Sequence, residues 1–373
     1  MSSPVMKTLT LLSVLLCLGV SVAARTVRIG VMLPLHDDDG DGRRMVEYYR
    51  GVLMACSQLK SEGISTDVRA WNVRQGADIR PTLLEQGADK CDIIFGPLYS
   101  SQVAHLAEFA AVYGIKVVIP FSISGDDVDR CPNLFQVYRS NNDMNAEAVE
   151  RFVQMFAETH PVFIDCNDKE SRKGSFTFAL RKRLEERGID YAITNINNSD
   201  AVFAKAFSLT QPNMVILNTG RSPELNEVIE RLDKLTAGSV AVDVSLFGYI
   251  DWLMYERYDL EKFFRYNTYI PSYFYYNPNL SETQRIERDY RQLFGTPMLD
   301  ALPRFALTGY DQAMFFIRGL HREGASFDGT VPYREAVQTQ LRFTRATEDG
   351  GMRNRNFLLI HYNPNKTIST ITF

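Results

Sequence analysis

A chain of 373 residues with 45% apolar and 23% charged residues has an ordinary globular composition and is long enough for two domains of usual size. Its formal charge of -4 and the lack of any long basic run offer nothing to a phosphate backbone, which argues against nucleic acid as a partner. The first 24 residues read apart from the rest. Lys7 precedes an apolar and small stretch from Leu9 to Ala24, shorter than the roughly 20 residues a spanning helix needs. Ser21 with Ala23, or Val22 with Ala24, suits a signal-peptidase site, so residues 1–24 are expected to be a signal peptide cleaved near Ala24. Lipid attachment at Cys17 wants a small side chain before it, and Leu16 stands there instead. The mature protein is therefore expected to be periplasmic or otherwise extracytoplasmic.

From Thr26 onward short apolar runs alternate with amphipathic helices. Val27 to Leu33 reads as a buried strand ending at Pro34. Met45, Val46, Tyr49, Val52, Leu53, Cys56 and Leu59 then recur at helical spacing until Gly63. A strand over about Asp67 to Val73 follows, and Asp92 to Phe95 is apolar enough for a strand buried on both faces of a parallel sheet. Gly96-Pro97 breaks it, Ser100 or Ser101 is placed to cap a helix running to Tyr113, and Val117 to Ile119 is the fourth strand. Ser122 to Asn142 lacks periodicity, after which the alternation restarts with helix Met144 to Glu158 and strand Val162 to Asp165. Helices at Phe176–Arg187, Ala201–Leu209 and Glu224–Leu235 alternate with strands at Tyr191–Ile196, Met214–Leu217 and Val240–Leu246. A Tyr-rich strand, Tyr266 to Tyr276, leads to helices at Glu282–Phe294 and Phe305–Leu320 and a last strand at Phe357–Tyr362. The pattern is α/β: two doubly wound parallel-sheet units in tandem, whose ligands are expected at the carboxyl ends of strands.

Apart from Cys17, the cysteines are Cys56, Cys91, Cys131 and Cys166, which permit three complete pairings in an oxidising compartment. None forms a CxxC or a Cys/His cluster, so no metal site is expected there. Buried thiols with at most one bridge are the simplest reading. The run Asp37-Asp38-Asp39-Gly40-Asp41-Gly42 imitates the start of a calcium loop, but its twelfth position is Tyr48 rather than a bidentate Glu, so it reads as a solvated loop capping the first helix.

Several strings in this order resemble the type I periplasmic-binding-protein superfamily, in particular its leucine/isoleucine/valine-binding and penicillin-binding-protein-activator branches. They are Arg28 to Leu35, Tyr49-Arg50-Gly51-Val52, Ile94 to Ser101, Val118 to Ser122 and Leu307-Thr308-Gly309-Tyr310-Asp311. The resemblance implies two lobes joined by three crossovers, with a ligand in the cleft between them. It would assign residues 25–140 plus 271–343 to lobe one and 141–270 plus 344–373 to lobe two. The crossovers would fall near residues 139–145, 266–272 and 342–347, and Tyr266 to Tyr276 would return the chain to the sheet begun by Val27 to Leu33.

Two loops at the ends of neighbouring strands carry hydroxyls, Tyr99-Ser100-Ser101 and Ser122-Ile123-Ser124. Hydroxyls and amides at a helix start together favour a carboxylate. By resemblance, Ser100, Ser122 and Ser124 fall where relatives grip an amino acid. On the opposing lobe the matching loops are Cys166 to Lys169, Asn218 to Arg221 and Gly248 to Trp252, which bring Asn167, Thr219 and Asp251 forward as ligand-binding candidates. Asp251, with Trp252 or Tyr249, is the candidate partner for an amine. The aromatic run from Tyr266 to Tyr276 reads as core and crossover packing rather than a sugar-stacking wall.

His36, His105, His160, His321 and His361 fall in no motif with a nucleophile, and G-x-S-x-G, Walker and H-E-x-x-H strings are absent, so neither catalysis nor a cofactor is expected. The expected function is a secreted solute-binding protein. It would capture a small polar, carboxylate-bearing molecule, such as an amino acid or short peptide, for ABC-type import or sensing. The alternative is a non-transport cell-envelope interaction module resembling the penicillin-binding-protein activators. The macromolecular partner is an inner-membrane permease in the first case and a cell-wall enzyme in the second.

Overall fold

The computed structural model describes residues 26–121, 124–238, 242–331 and 335–373; the expected signal peptide and its cleavage site lie outside the described residues. The chain opens with β1 (Val27–Leu33), α1 (Gly40–Ser61), β2 (Thr66–Asn72), β3 (Ile93–Phe95), α2 (Val103–Tyr113), β4 (Lys116–Ile119) and β5 (Leu134–Gln136). A second run follows: α3 (Asn141–Met155), β6 (His160–Asp165), α4 (Gly174–Glu186), β7 (Ala192–Asn195), β8 (Asn213–Leu217), α5 (Ser222–Thr236), β9 (Val244–Phe247), α6 (Glu256–Arg265) and β10 (Thr268–Ser272). The chain ends with α7 (Ser281–Phe294), α8 (Phe305–Glu323), β11 (Phe343–Arg345), β12 (Met352–Asn354), β13 (Leu358–Tyr362) and β14 (Ile368–Thr372). Among the described residues no helix is long and apolar enough to cross a membrane.

These strands form two seven-stranded sheets, ordered β11-β12-β5-β4-β3-β1-β2 and β14-β13-β10-β9-β8-β6-β7. Neighbours are parallel except at one edge of each sheet, where β11 runs against β12, β13 against β10 and β14 against β13. The strand order reverses at β1/β3 in the first sheet and at β6/β8 in the second, the positions where open α/β sheets leave a crevice beyond the carboxyl ends of their strands.

Local chemistry accounts for the packing. Asp39 caps α1, its Oδ1 accepting from Gly42 N at 2.7 Å, so the acidic loop satisfies a helix start. Met45, Tyr48, Val52 and Leu59 turn one face of α1 into the first core, where α8 lies across it. The crossing is close because two glycines sit in it. A Cβ on Gly51 would stand 1.9 Å from the Ala306 carbonyl oxygen, and one on Gly309 would stand 2.1 Å from that of Tyr48. The second core is filled by β6, β8, β9 and β13 against α3, α4, α5 and α6, with Trp252 and Phe263 stacked at its centre. Cys56, Cys91, Cys131 and Cys166 are free thiols.

Three segments carry the chain between lobes, at residues 137–140, 273–280 and 355–357. Two expectations are corrected here. The Tyr-rich strand does not return to the first sheet: β10 pairs with β9 in parallel and with β13 antiparallel, both in the second. Its physical reason is the β9–α6–β10 unit, since a crossover helix brings the next strand back beside the one before it. The last crossing also falls later than expected, because β12 still pairs with β5 in the first sheet through Arg353.

Candidate functional site

At the carboxyl ends of β6, β8 and β9 three loops are tied together before any ligand is considered. Asn218 bridges two of them, its Oδ1 accepting from Cys166 N at 2.9 Å and its Nδ2 donating to Asp165 Oδ1 at 2.8 Å. Ser171 Oγ donates to the Asn218 carbonyl at 2.6 Å. Thr219 Oγ1 donates to Asp168 Oδ2 at 2.6 Å and Glu170 N to Asp168 Oδ1 at 3.0 Å, and the hydroxyl first of all holds the Asp168 carboxyl below its ordinary pKa. Arg221 lies 3.6 Å from the same carboxylate.

Lys173 and Asp251 form the second pair, Nζ to Oδ2 at 2.5 Å, with Nζ also 4.9 Å from the centre of the Tyr249 ring. Tyr249 is anchored in turn by its hydroxyl, which donates to the Leu217 carbonyl at 2.5 Å. Gly220 lies against the pair: a Cβ there would meet Lys173 Cε at 3.0 Å and Asp251 Cγ at 3.2 Å. Helices α4 and α5 begin at Gly174 and Ser222, next to the lining residues Lys173 and Arg221, without a side-chain cap, so the positive ends of both helices lie near this region.

The space enclosed is a cavity of about 460 Å³. Its floor is the loops just described. Asn141, Met144 and Asn145 of α3 close one side, and Pro271 of β10 with Tyr273 of the second crossing closes another. Phe176, Tyr249, Ile250 and Tyr255 supply apolar wall between the charged groups. The structure thus brings Thr219 and Asp251 together on one cavity wall. Asn167 lies beside it, with a positive φ of 55°, and its side-chain amide exchanges two hydrogen bonds with that of Asn195.

Among the described residues, the first-lobe candidates Tyr99, Ser100, Ser101 and Ser124 are placed elsewhere and do not line the cavity. Tyr99 donates its hydroxyl to Asp41 Oδ2 at 3.1 Å, and burial with that carboxylate pushes the phenol up to about 12. Ser100 Oγ accepts from Ser124 N at 2.8 Å and so joins the two hydroxyl-rich loops to each other. Ser101 is exposed, and Ser122 lies outside the described residues. The expectation that Ser100 or Ser101 caps α2 is corrected: a 3-10 turn, Ser100–Gln102, precedes the helix, and no side chain caps either element. Trp252 is fully buried against Phe263 and is no partner for a ligand amine.

Sequence reasoning passed over Arg172, Lys173 and Tyr255, and it read Tyr273 as packing alone. One signal for Lys173 was present. A lysine immediately before a helix start opposes the dipole and so calls for a nearby carboxylate.

A model of the periplasmic binding protein family matches residues 70–361. Comparison with curated protein sequences finds no match. Among solved structures, a putative branched-chain amino acid ABC transporter from Rhodospirillum rubrum gives a TM-score of 0.61 at 15% identity, covering 93% of this chain and 100% of that one. A branched chain amino acid ABC transporter periplasmic ligand-binding protein from Burkholderia xenovorans gives 0.53 at 13% identity, covering 93% and 94%. Full-length LpoA from Haemophilus influenzae gives 0.57 at 14% identity, covering 93% of this chain and 59% of that one. Identities this low speak for the fold, two doubly wound lobes of the type I periplasmic binding class. With a family match spanning most of its length, the chain belongs to the periplasmic-binding-protein family.

Proposed function

We propose that this protein works outside the cytoplasm as a solute-binding protein, capturing a small carboxylate-bearing ligand between its lobes and presenting it to an ABC-type importer or a sensor. The observation that carries the reading is the cavity at the strand ends of the second lobe. Two uncapped helix starts and the cations Lys173 and Arg221 meet there beneath an apolar wall. A carboxylate placed there meets amide donors and the positive ends of two dipoles, while its body is taken out of water. In the closed form Ser100, Ser122 and Ser124 would reach the ligand from the first lobe. The two amino-acid transporter likenesses support the solute class. Calorimetric titration with amino acids, short peptides and simple carboxylates tests the reading, and heat that disappears in Thr219→Val is the expected result.

A second reading, a cell-envelope interaction module with a wall-synthesis partner, is favoured by one feature. The first-lobe loops satisfy each other, Tyr99 on Asp41 and Ser100 on Ser124, so that face of the cleft is engaged without a ligand. The likeness to LpoA is compatible with it. Silence across the calorimetric panel together with retention on immobilised wall fragments would decide for this alternative.

A further inference from the structure

We propose that the Lys173–Asp251 ion pair makes the second-lobe wall of the cleft select carboxylates that carry no α-ammonium group. The inference rests on the capture reading above and narrows its ligand to aliphatic or aromatic acids.

An ammonium leaving water needs an anionic or π acceptor not already engaged. The cavity wall holds three carboxylates, Asp168, Glu170 and Asp251. The Asp168 side chain is 1% exposed, and its two oxygens accept from the Thr219 hydroxyl and the Glu170 amide. Asp251 is held by Lys173, and Gly220 packs against both side chains from behind. Glu170 is exposed, so an ion pair with it stays hydrated and gains little. The π face of Tyr249 already carries the Lys173 ammonium.

The acidic stretch after β1 on the opposing lobe adds no buried carboxylate acceptor. In the acidic loop after β1, Asp38 pairs with Arg74, Asp39 caps α1 and Asp41 accepts from Tyr99; Asp37 is exposed. An α-amino acid would therefore bring a cation into the cavity with no unengaged buried carboxylate to receive it, leaving only the weaker π faces of Phe176, Tyr255 and Tyr273. A carboxylate without the amine meets the starts of α4 and α5, and its carbon body meets Met144, Phe176, Ile250 and Tyr273. The arrangement accepts the anion and rejects the cation.

The test is isothermal titration of the purified protein with two matched pairs, 4-methylpentanoate against leucine and 3-phenylpropanoate against phenylalanine. In the wild type, the acid lacking the amine is expected to bind at least about tenfold more tightly than its partner in one pair or both. Lys173→Met frees Asp251 and should move that ratio about tenfold towards the amino acid. Asp251→Asn leaves Lys173 without a carboxylate and should move it the other way. Tighter binding of leucine and phenylalanine by the wild type would overturn the selectivity while leaving solute capture standing. A ratio unmoved by both variants would remove the ion pair from the explanation. No heat from any of the four probes would overturn the inference and count against the capture reading with it.

Discussion

The rings of Tyr138 and Tyr273 lie 4.5 Å apart, one on the first crossing between the lobes and one on the second. The third crossing joins them, because Asn356 Nδ2 donates to the Tyr273 carbonyl at 3.2 Å. Tyr273 is also packed against both cores and lines the candidate cavity. One residue therefore touches the candidate cavity and all three connections about which lobes of this fold would close.

Removing that ring should affect stability and shape together. Tyr273→Ala is expected to lower unfolding free energy by about 3 kcal/mol, in the range of a lost partly buried aromatic, and to broaden the distribution of dimensions seen in solution X-ray scattering. Tyr273→Phe keeps the ring contact and should behave like the wild type in both measurements. Equal loss in the two variants would assign the role to the hydroxyl instead.

The two glycines between α1 and α8 give a second expectation. Gly309→Ala sets a methyl 2.1 Å from the Tyr48 carbonyl oxygen, closer than any relaxed contact, so the helices must part. Overpacking of this kind costs about 1 to 3 kcal/mol. Denaturant unfolding of Gly309→Ala and Gly51→Ala, each against wild type, measures it. A midpoint unchanged in both would mean that the helices separate freely.

Those glycines also show what was legible beforehand. The strings Tyr49 to Val52 and Leu307 to Asp311 stood out as a resemblance, and the structure gives them a physical cause, since they are the two faces of one close helix crossing. Helices and buried strands were legible because apolar period reports which face is covered. Partner choice is not local, so a Tyr-rich strand was sent to the wrong sheet, although the rule for crossover connections pointed to the right one. β5, β11 and β12 have three residues each, too few for any period to register. In the site, loops at strand ends could be found from topology. That Asp251 was already held by Lys173 could not, because the two residues are 78 positions apart and meet only through the folded sheet.

Asp311 ties the end of the resemblance to stability. It is fully buried on α8, and its carboxylate accepts three backbone amides, Val337 N, Gln338 N and Thr339 N, each at 2.8 Å. Asp311→Ala leaves three buried donors without an acceptor, a loss on the order of 4 kcal/mol. Thermal unfolding should show it, together with faster proteolysis between residues 335 and 341. A melting temperature within a degree of wild type would mean that water replaces the carboxylate at no cost.

Glu47 supplies the pH dependence. Its side chain sits on α1 at 1% exposure. Oε1 accepts from Leu299 N at 2.7 Å, and burial pushes its pKa up to about 7 despite Arg304 and Arg50 nearby. In the unfolded chain a glutamate titrates near 4.3. The folded state therefore holds the proton more tightly than the unfolded state, and stability from this group is fully present below the unfolded pKa and lost as pH rises through about 7. The loss across that window is about 3 to 4 kcal/mol. Glu47→Gln keeps the acceptor for Leu299 N and cannot ionise, so its urea midpoint should vary less between pH 5 and 8 than that of wild type. The two proteins should match near pH 4 and separate progressively as the pH rises to about 7, with the variant the more stable at neutral pH. Parallel midpoints across the whole range would show that Glu47 ionises in place without cost, with Arg50 and Arg304 compensating its burial.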